Sequence, residues 1–297
     1  MADASDDNDV AWYLKTAGEG HVFAQNTLGN RYRTGKGVPQ DYGEAARWYL
    51  KAAEQRFAPA EVSLGIMCRS GLGVMKDSAE AVRWFRLAAE QGNAAAMYFL
   101  GVMSAGGEGT EQNFSEAAKL CRKAAEHGYA RAWNRLGLLY EAGQGVIQDH
   151  AEAVKCFRCG SEKGDAEAMV SLGTMYERGL GVRQSFPKAE KWYRKAAEPG
   201  NAAAEFRLGE MYYYGRGVAL SFRPALKWYL KSAERGYVPA EYSAGYMYQY
   251  GQGTEVDPEE ALGWYRKSAE QGYAQAQHSL GFMYEFGEGT LRDFRRL

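Results

Sequence analysis

The sequence repeats itself every 36 residues, with no insertion or deletion. Each repeat carries the dipeptide Leu-Gly, replaced once by Ala-Gly, with an alanine four residues before it and a Gly-x-Gly pair seven residues after it. A fixed period of this length is typical of solenoids, in which each repeat buries its apolar face against its neighbours. Although 297 residues would suggest two domains by length, we therefore predict one repeat array. The dipeptides begin at Leu28, Leu64, Leu100, Leu136, Leu172, Leu208, Ala244 and Leu280.

Within each repeat the pattern predicts two helices and no strand. Apolar residues recur three and four apart before the glycine pair, as at Leu172, Met175 and Tyr176, which is one face of a helix. The first glycine follows where a left-handed residue can end that helix. The second helix then opens on Asp or Asn with Glu three residues later, as at Asp41 and Glu44, which predicts a capping box in which the Glu reaches back to the cap. In two repeats Ser185 and Ser221 take the cap position without the Glu.

The second helix carries alanines around a Trp-aromatic pair, such as Trp48 and Tyr49. We predict that the small residues let the helices approach closely and that the Trp fills the gap between neighbouring hairpins. Leu120 and Cys156 replace the Trp in two repeats, and Arg56 replaces a closing glycine. The predicted organisation is a flexible acidic tail (1–9), a partial repeat with one helix (10–23), seven full repeats (24–59, 60–95, 96–131, 132–167, 168–203, 204–239 and 240–275) and an incomplete eighth repeat (276–297).

The pattern Ala-x-x-x-Leu-Gly-x-x-Tyr, Gly-x-Gly-Val, Asp-x-x-x-Ala-x-x-Trp-Tyr-x-x-Ala-Ala resembles the Sel-one-like repeat (SLR) family, a relative of the tetratricopeptide repeat, over residues 10–293. The resemblance implies an all-α superhelical solenoid whose first helices line a concave face. It also implies a non-enzymatic adaptor for a polypeptide partner, as in bacterial scaffolds, secretion or host-interaction factors and eukaryotic quality-control subunits. The bridged cysteine pair that some bacterial members carry in each repeat is missing, which weakens a secreted assignment.

The glycines and cysteines do not indicate catalysis. A phosphate-binding loop follows a strand, whereas here a helix precedes every Gly-x-Gly and the motif recurs in eight repeats. Cys156 and Cys159 form a lone Cys-x-x-Cys pair, short of the four ligands of a zinc site, although a redox or metal role stays open. No nucleophile with a neighbouring base and orienting group interrupts the repeat. We expect no enzyme activity, no cofactor and no metal.

Charge and hydropathy limit the partners and the location. The net charge is -1 and Lys and Arg are spread along the whole chain, so we expect no nucleic acid. No run of 18 apolar residues is present, so we expect no membrane insertion. The acidic N-terminus lacks the apolar stretch of a signal peptide, and four cysteines are too few for a disulfide framework. These features predict a cytoplasmic protein, or a periplasmic or secreted one if a leader has been removed.

The positions that vary between repeats are the candidates for binding. By the resemblance, the concave face takes the positions -2, +2, +5 and +6 relative to each Leu. In the first four repeats only Tyr98 is aromatic there, whereas the last four repeats carry eight aromatic residues. Clustered exposed rings mark interaction sites because they supply a large contact area at low entropy cost. We therefore predict a partner-binding surface formed by Phe206, Tyr213, Tyr214, Tyr242, Tyr246, Tyr250, Phe282 and Phe286. The alternative is that several of these rings pack against neighbouring repeats.

Two questions about partners stay open in the sequence. The aromatic surface suits an extended peptide or a partner helix, and the alternative is a glycan or cell-wall ligand on the same rings. The chain also ends at "TLRDFRRL", where Asp293 would cap another helix that five residues cannot form. We therefore expect either that the natural protein continues or that the uncapped C-terminal repeat self-associates.

Overall fold

The computed structural model describes residues 4–287, and within them it contains sixteen α-helices and no strand. The predicted all-α repeat fold is therefore confirmed. The helices group into two compact units, an N-terminal unit that ends at Asp149 and a C-terminal unit that begins at His150. The N-terminal unit holds α1 (Ala4–Gly18), α2 (Val22–Thr34), α3 (Tyr42–Glu54), α4 (Ala58–Ser70), α5 (Ser78–Glu90), α6 (Ala94–Gly106), α7 (Phe114–Glu126) and α8 (Ala130–Ala142).

The C-terminal unit continues the same alternation of first and second helices. It holds α9 (His150–Glu162), α10 (Ala166–Arg178), α11 (Phe186–Ala197), α12 (Ala202–Tyr214), α13 (Phe222–Glu234), α14 (Val238–Gln249), α15 (Pro258–Glu270) and α16 (Ala274–Phe286). The even-numbered helices are the first helices of the repeats, and the odd-numbered helices are the second helices.

The first helix starts earlier than the sequence suggested. Residues 4–9, which the sequence assigned to a flexible acidic tail, belong to α1. Once a helix is nucleated, each further residue adds a backbone hydrogen bond at little cost. The helix that buries Val10 and Ala17 therefore extends toward the N-terminus. The later first helices begin two residues before the alanine that opens each predicted repeat, as α2 does at Val22.

Two glycines and one repeated hydrogen bond fix each helical hairpin. The first glycine of every Gly-x-Gly ends or follows a first helix with φ between 65° and 73°, in the left-handed region that glycine adopts without a steric penalty. The second glycine is required for space, because a Cβ on Gly73 would lie 2.2 Å from the backbone of Tyr42 in the preceding second helix. The backbone N–H of Asp41 donates to the carbonyl of Tyr32 at 2.9 Å, and equivalent bonds of 2.8–3.0 Å close all seven complete hairpins.

That hydrogen bond changes the predicted capping box. The side chains of Asp41, Asp77, Asn113 and Asp257 accept from backbone amides of the first helical turn, as predicted. The predicted return bond from the Glu is wrong, because the amide of the cap residue already donates to the preceding first helix. Glu44 and Glu80 instead form ion pairs with Arg47 and Arg83. Within residues 4–287, Ser185 and Ser221 occupy the cap position without a side-chain capping bond.

The core is built from the glycine of Leu-Gly and an aromatic ring twenty residues later. A Cβ on Gly65 would lie 2.5 Å from the ring of Phe85, so the glycine forms the groove in which the ring packs. The residue after the Trp provides this ring, and it is fully buried at Tyr49, Phe85, Phe157, Tyr193 and Tyr265.

The Trp itself lies outside this core in most repeats. Trp48, Trp192, Trp228 and Trp264 are half-buried, and a lysine three residues later lies over each ring at 4.0–4.9 Å from its centroid. The prediction that the Trp fills the core is therefore wrong for these repeats. Consecutive helical residues point about 100° apart, so only one member of each aromatic pair can face the glycine.

The cysteines follow the same packing. All four are free thiols, and Cys121 occupies the buried ring position of its repeat. Burial raises the pKa of the Cys121 thiol to about 12, which disfavours the reactive thiolate.

Arg56 adopts a φ of 60° where other repeats have a closing glycine, so the turn keeps its left-handed conformation despite the substitution.

Candidate partner-binding surface

The eight predicted aromatic residues all lie at the surface of the C-terminal unit. Phe206, Tyr213, Tyr242 and Tyr246 are half-buried. Tyr214, Tyr250, Phe282 and Phe286 are 43–54% exposed. Helix α12 carries the first three residues in chain order, α14 and its C-cap carry the next three, and α16 carries the two phenylalanines. The repeat register therefore assigned these positions to the surface correctly.

Four of these tyrosines meet in a cleft of about 310 Å³. Tyr213 and Tyr214 of α12, Tyr242 and Tyr246 of α14, and the neighbouring Ser243 and Tyr229 line it. Among the described residues, no charged side chain lines the cleft. It therefore presents ring faces and hydroxyl groups to a partner. We call it the tyrosine cleft.

Buried rings hold the surface rings of the cleft in place. Tyr213 lies 6.3 Å from Tyr229 between ring centroids, and Tyr242 lies 5.6 Å from Tyr265. Tyr246 in turn lies 4.6 Å from Tyr250, which extends the aromatic surface beyond the cleft. Burial raises the pKa of Tyr213, Tyr229 and Tyr265 above the ordinary value, so their hydroxyls stay protonated donors. Rings fixed by packing lose little freedom when a partner binds.

The hydroxyl of Tyr229 differs from those of the other buried tyrosines. At the equivalent positions, the hydroxyl donates at 2.7–2.9 Å to a side chain of the preceding first helix, in the pairs Tyr49–Asn30, Tyr193–Glu177 and Tyr265–Gln249. Within the part of the chain that the structure describes, Tyr229 makes no such bond. The cleft therefore offers a donor that a partner's carbonyl can accept from.

Two rings at the edge of this surface were missed by the sequence reasoning. Tyr237 lies 5.3 Å from Phe206, and Tyr273 lies 5.4 Å from Tyr242. In the N-terminal unit, Tyr98 and Tyr129 form the same contact at 5.0 Å. In all three pairs the second ring follows the first by 31 residues, a spacing that could have identified them. Each pair lies within one repeat, so these contacts hold Phe206 and Tyr242 in place from inside their own repeats, and packing against neighbouring repeats stays a prediction.

The two phenylalanines of α16 lie apart from the tyrosine cleft. Phe282 and Phe286 contact each other at 4.4 Å between centroids, and neither lines the cleft. The sequence grouped them with the tyrosines because they occupy the same repeat positions. The segment 290–297, with Asp293, lies outside the described residues, so self-association through the last repeat stays a prediction.

The charged groups next to the cleft pair with one another. Arg216 lies 4.7 Å from the ring centroid of Tyr214 and 3.1 Å from a carboxylate oxygen of Glu177. Arg207 pairs with Glu210 at 2.7 Å. These paired charges leave the aromatic surface without a strong net charge at its border.

Two features are absent from residues 4–287. Within that range no group of three or more His, Cys, Asp and Glu side chains is arranged to hold a metal ion. No helix in that range is both long enough and apolar enough to cross a membrane.

Comparison with known families identifies the repeat. The family model described as the Sel1 repeat matches eight consecutive segments: 22–57, 58–93, 94–129, 130–165, 166–201, 202–237, 238–273 and 274–296. No curated protein matches the chain.

Solved structures with the same repeat include two from bacteria. A protective antigen of uropathogenic Escherichia coli with an SLR fold is 39% identical, with a TM-score of 0.67; the match covers 93% of this chain and 59% of the antigen. The chain therefore spans less than two thirds of that protein. A Sel1 repeat protein from Oxalobacter formigenes is 36% identical, with a TM-score of 0.73, over 78% of this chain and 95% of that one. Yeast Tom70 is 16% identical, with a TM-score of 0.58 over 96% of this chain and 58% of Tom70, a likeness of fold alone.

Proposed function

Because the chain belongs to the Sel1 repeat family, whose solenoids are generally non-catalytic scaffolds for protein–protein interaction, we propose that it is a non-enzymatic adaptor that binds a polypeptide in the tyrosine cleft. The observation that carries the proposal is the cleft of about 310 Å³ lined by Tyr213, Tyr214, Tyr242 and Tyr246. The similarity to proteins of Escherichia coli and Oxalobacter supports a bacterial origin, which we propose together with a cytoplasmic location.

The chemistry of the cleft favours an extended, uncharged segment of the partner. Tyrosine rings supply contact area at low entropy cost and are enriched among the residues that dominate binding energy. Their hydroxyls, with that of Tyr229, can donate to the carbonyls of an extended backbone. A charged side chain in the cleft would lose hydration without meeting an opposite charge.

A peptide-display experiment tests this proposal. The full chain is used to select binders from a library of random peptides, and the affinity of selected peptides is measured by fluorescence anisotropy. We expect Tyr213→Ala with Tyr246→Ala to weaken binding at least about 30-fold, because one dominant aromatic contact contributes about 2 kcal/mol. Urea unfolding of the double variant checks that it remains folded.

The chain offers a matched control in the N-terminal unit. Ile66 and Leu138 occupy the repeat position of Tyr246 and are both 37% exposed. The variant Ile66→Ala with Leu138→Ala should leave the affinity unchanged within about twofold, because neither residue contacts the cleft. Equal losses in the two double variants would reject the cleft as the site. A glycan array serves as the other arm: glycan binding that depends on the same tyrosines, with no peptide enriched, would replace the polypeptide with a sugar ligand.

A further inference from the structure

The second helices α11 and α13 differ in charge from their equivalents. Together they carry seven lysines and arginines against two glutamates, a net charge of +5. The equivalent helices α3 and α5 carry four lysines and arginines against four glutamates, and α15 carries two against three. The even distribution of charge along the whole chain therefore hides a local excess in the C-terminal unit.

The excess begins in the first turn of each helix. Helices α3, α5, α7, α9 and α15 all have a glutamate in the first turn, whereas α11 and α13 have no acidic residue there. Lys188 and Pro224 take the place of that glutamate. A lysine near a helix N-terminus is unfavourable, because the helix dipole is positive at that end. This exchange therefore does not serve the stability of the helix.

Five lysines on these helices are available to a partner. They are all exposed, and within the described residues none lies within 4 Å of a carboxylate: Lys188, Lys191, Lys195, Lys227 and Lys231. The two neighbouring arginines are already engaged. Arg194 pairs with Glu190 at 2.7 Å, and Arg235 pairs with the buried Glu205 at 3.0 Å. Arg223 at the start of α13 is also exposed and is in no ion pair within the described residues, so the unpaired positive charges are five ammonium groups and one guanidinium.

Tryptophan rings position two of these lysines, and one of the two, Lys231, lines a second cleft. Lys195 lies 4.9 Å from the ring centroid of Trp192, and Lys231 lies 4.7 Å from that of Trp228. A cleft of about 690 Å³ runs between α11 and α13, with Trp228 and Lys231 among its lining residues. Apolar parts of a partner can therefore pack on Trp228 while its negative groups meet the lysines.

We propose that this lysine face, defined by the five lysines and Trp228, binds an acidic segment of a polypeptide. Lysine suits scattered carboxylates, whereas planar, bidentate recognition of phosphate favours arginine. Glu198 and Glu234 line the second cleft together with Lys231, so the cleft is not the uniformly basic surface that nucleic acid requires. The partner is an acidic peptide segment, and its site is separate from the tyrosine cleft.

Binding of a poly-glutamate peptide to the full chain tests the proposal. A fluorescein-labelled peptide of about 15 residues is long enough, when extended, to cross both helices. Its affinity is measured by fluorescence anisotropy at low and at physiological ionic strength. We expect affinity to fall as salt rises, and Lys195→Glu with Lys231→Glu to weaken binding at least about tenfold.

Equivalent lysines provide the control for net charge. Lys51 and Lys123 occupy the repeat position of Lys195 and Lys231 on α3 and α7. The variant Lys51→Glu with Lys123→Glu changes the net charge equally and should alter the affinity by less than about twofold. Equal losses in both double variants would reduce the effect to net charge and overturn the proposal.

Two further arms identify the partner class. Tighter binding of a single-stranded oligonucleotide, or of phosphatidylserine vesicles, than of poly-glutamate would overturn the assignment to a polypeptide. The variant Tyr213→Ala with Tyr246→Ala should retain poly-glutamate binding. A loss there would place the acidic segment in the tyrosine cleft and reject a separate site.

Discussion

Gly65 receives the ring of Phe85 in the N-terminal unit, just as Gly209 receives the ring of Tyr229 in the C-terminal unit. A Cβ would lie 2.5 Å from the ring in both places. At the four variable positions of the first helices, by contrast, the first four repeats have one aromatic residue and the last four have eight. The contact that forms the core is conserved between the units, while the surface residues differ. Because this contact holds the two helices of each repeat together, surface positions can change without altering the fold.

The second helices show the same separation of core from surface. Tyr49 of α3 and Tyr193 of α11 are both completely buried. The charge on the opposite side of these helices is balanced in α3, whereas α11 has four lysines and arginines against one glutamate. The C-terminal unit therefore carries both specialised surfaces, the tyrosine cleft and the lysine face. Their absence from the equivalent described helices of the N-terminal unit makes that unit a source of matched controls.

The largest effect we predict tests whether each unit depends on the same kind of core contact between a glycine and an aromatic ring. Gly65→Ala and Gly209→Ala should each lower the free energy of unfolding by about 1–3 kcal/mol, because the new methyl group would overlap a buried ring. Gly281 occupies the same repeat position in α16, but no neighbouring atom within the described residues lies within 4 Å of its Cβ site. Gly281→Ala should raise the free energy of unfolding by up to about 1 kcal/mol through helix propensity. Urea unfolding measures all three variants.

The sign change between these variants is the decisive result. If Gly65→Ala or Gly209→Ala left stability unchanged, the rings would be free to move and the shared core contact would not hold the two helices of a repeat together. A loss in Gly281→Ala equal to the other two would show that the glycine is needed by its own helix and not by its neighbour.

A smaller effect should separate the helix caps of the two units. Asp77 accepts from the amides of Ala79 and Glu80, whereas the side chain of Ser221 makes no capping bond within residues 4–287. Asp77→Ala should therefore lower the free energy of unfolding by about 1 kcal/mol, and Ser221→Ala should change it by a few tenths at most. Asp77→Asn keeps an acceptor and controls for the loss of the charge. Equal losses in Asp77→Ala and Ser221→Ala, measured by urea unfolding, would contradict the assigned capping roles.

Features that depend on residues close in sequence were predicted well. The helix starts at Asp41 and Asp77 and the left-handed glycines each rely on a few neighbouring residues. The role of the Trp was not predictable in this way. Trp48 and Tyr49 are both large and apolar, and Gly29, twenty residues earlier, selects Tyr49 for the core. That choice depends on how two helices pack, which local patterns do not contain.

For the candidate surfaces, too, the sequence predicted the features that depend on repeat position and not those that depend on helix packing. The repeat register was enough to assign Tyr213 and Tyr246 to the surface. It could not show that they meet in one cleft while Phe282 lies elsewhere, because that depends on the spacing between helices. The lysine face was missed because the net charge of -1 sums the +5 of α11 and α13 with the net negative charge of the rest of the chain. Counting charge for each second helix alone would have revealed it.

The smallest effect concerns buried glutamates at one repeat position in both units. Glu61 and Glu241 are buried, and each accepts a hydrogen bond from the glutamine that follows the second helix of the same repeat, at 2.7 and 2.8 Å. Burial raises the pKa of both carboxyl groups above the ordinary value of 4.5. The folded state therefore binds these protons more tightly than the unfolded state. The resulting stabilisation is complete below pH 4.5 and is lost as the pH rises through the folded-state pKa.

Replacing both carboxylates with amides should remove this pH dependence. Gln25 and Gln55 already form an amide pair of 2.8 Å at the same position, so the variant Glu61→Gln with Glu241→Gln should fit. Urea unfolding at several pH values should show a higher free energy of unfolding than wild type at neutral pH and a flatter profile above pH 4.5. Glu205→Gln is the control of opposite sign, because Arg235 pairs with Glu205 at 3.0 Å, closer than the 4.0 Å between Arg56 and Glu61, and loss of this pair should destabilise the protein at neutral pH. If the wild-type slope persisted in the double variant, the pH dependence would arise from other groups, and the two units would not share this buried polar position.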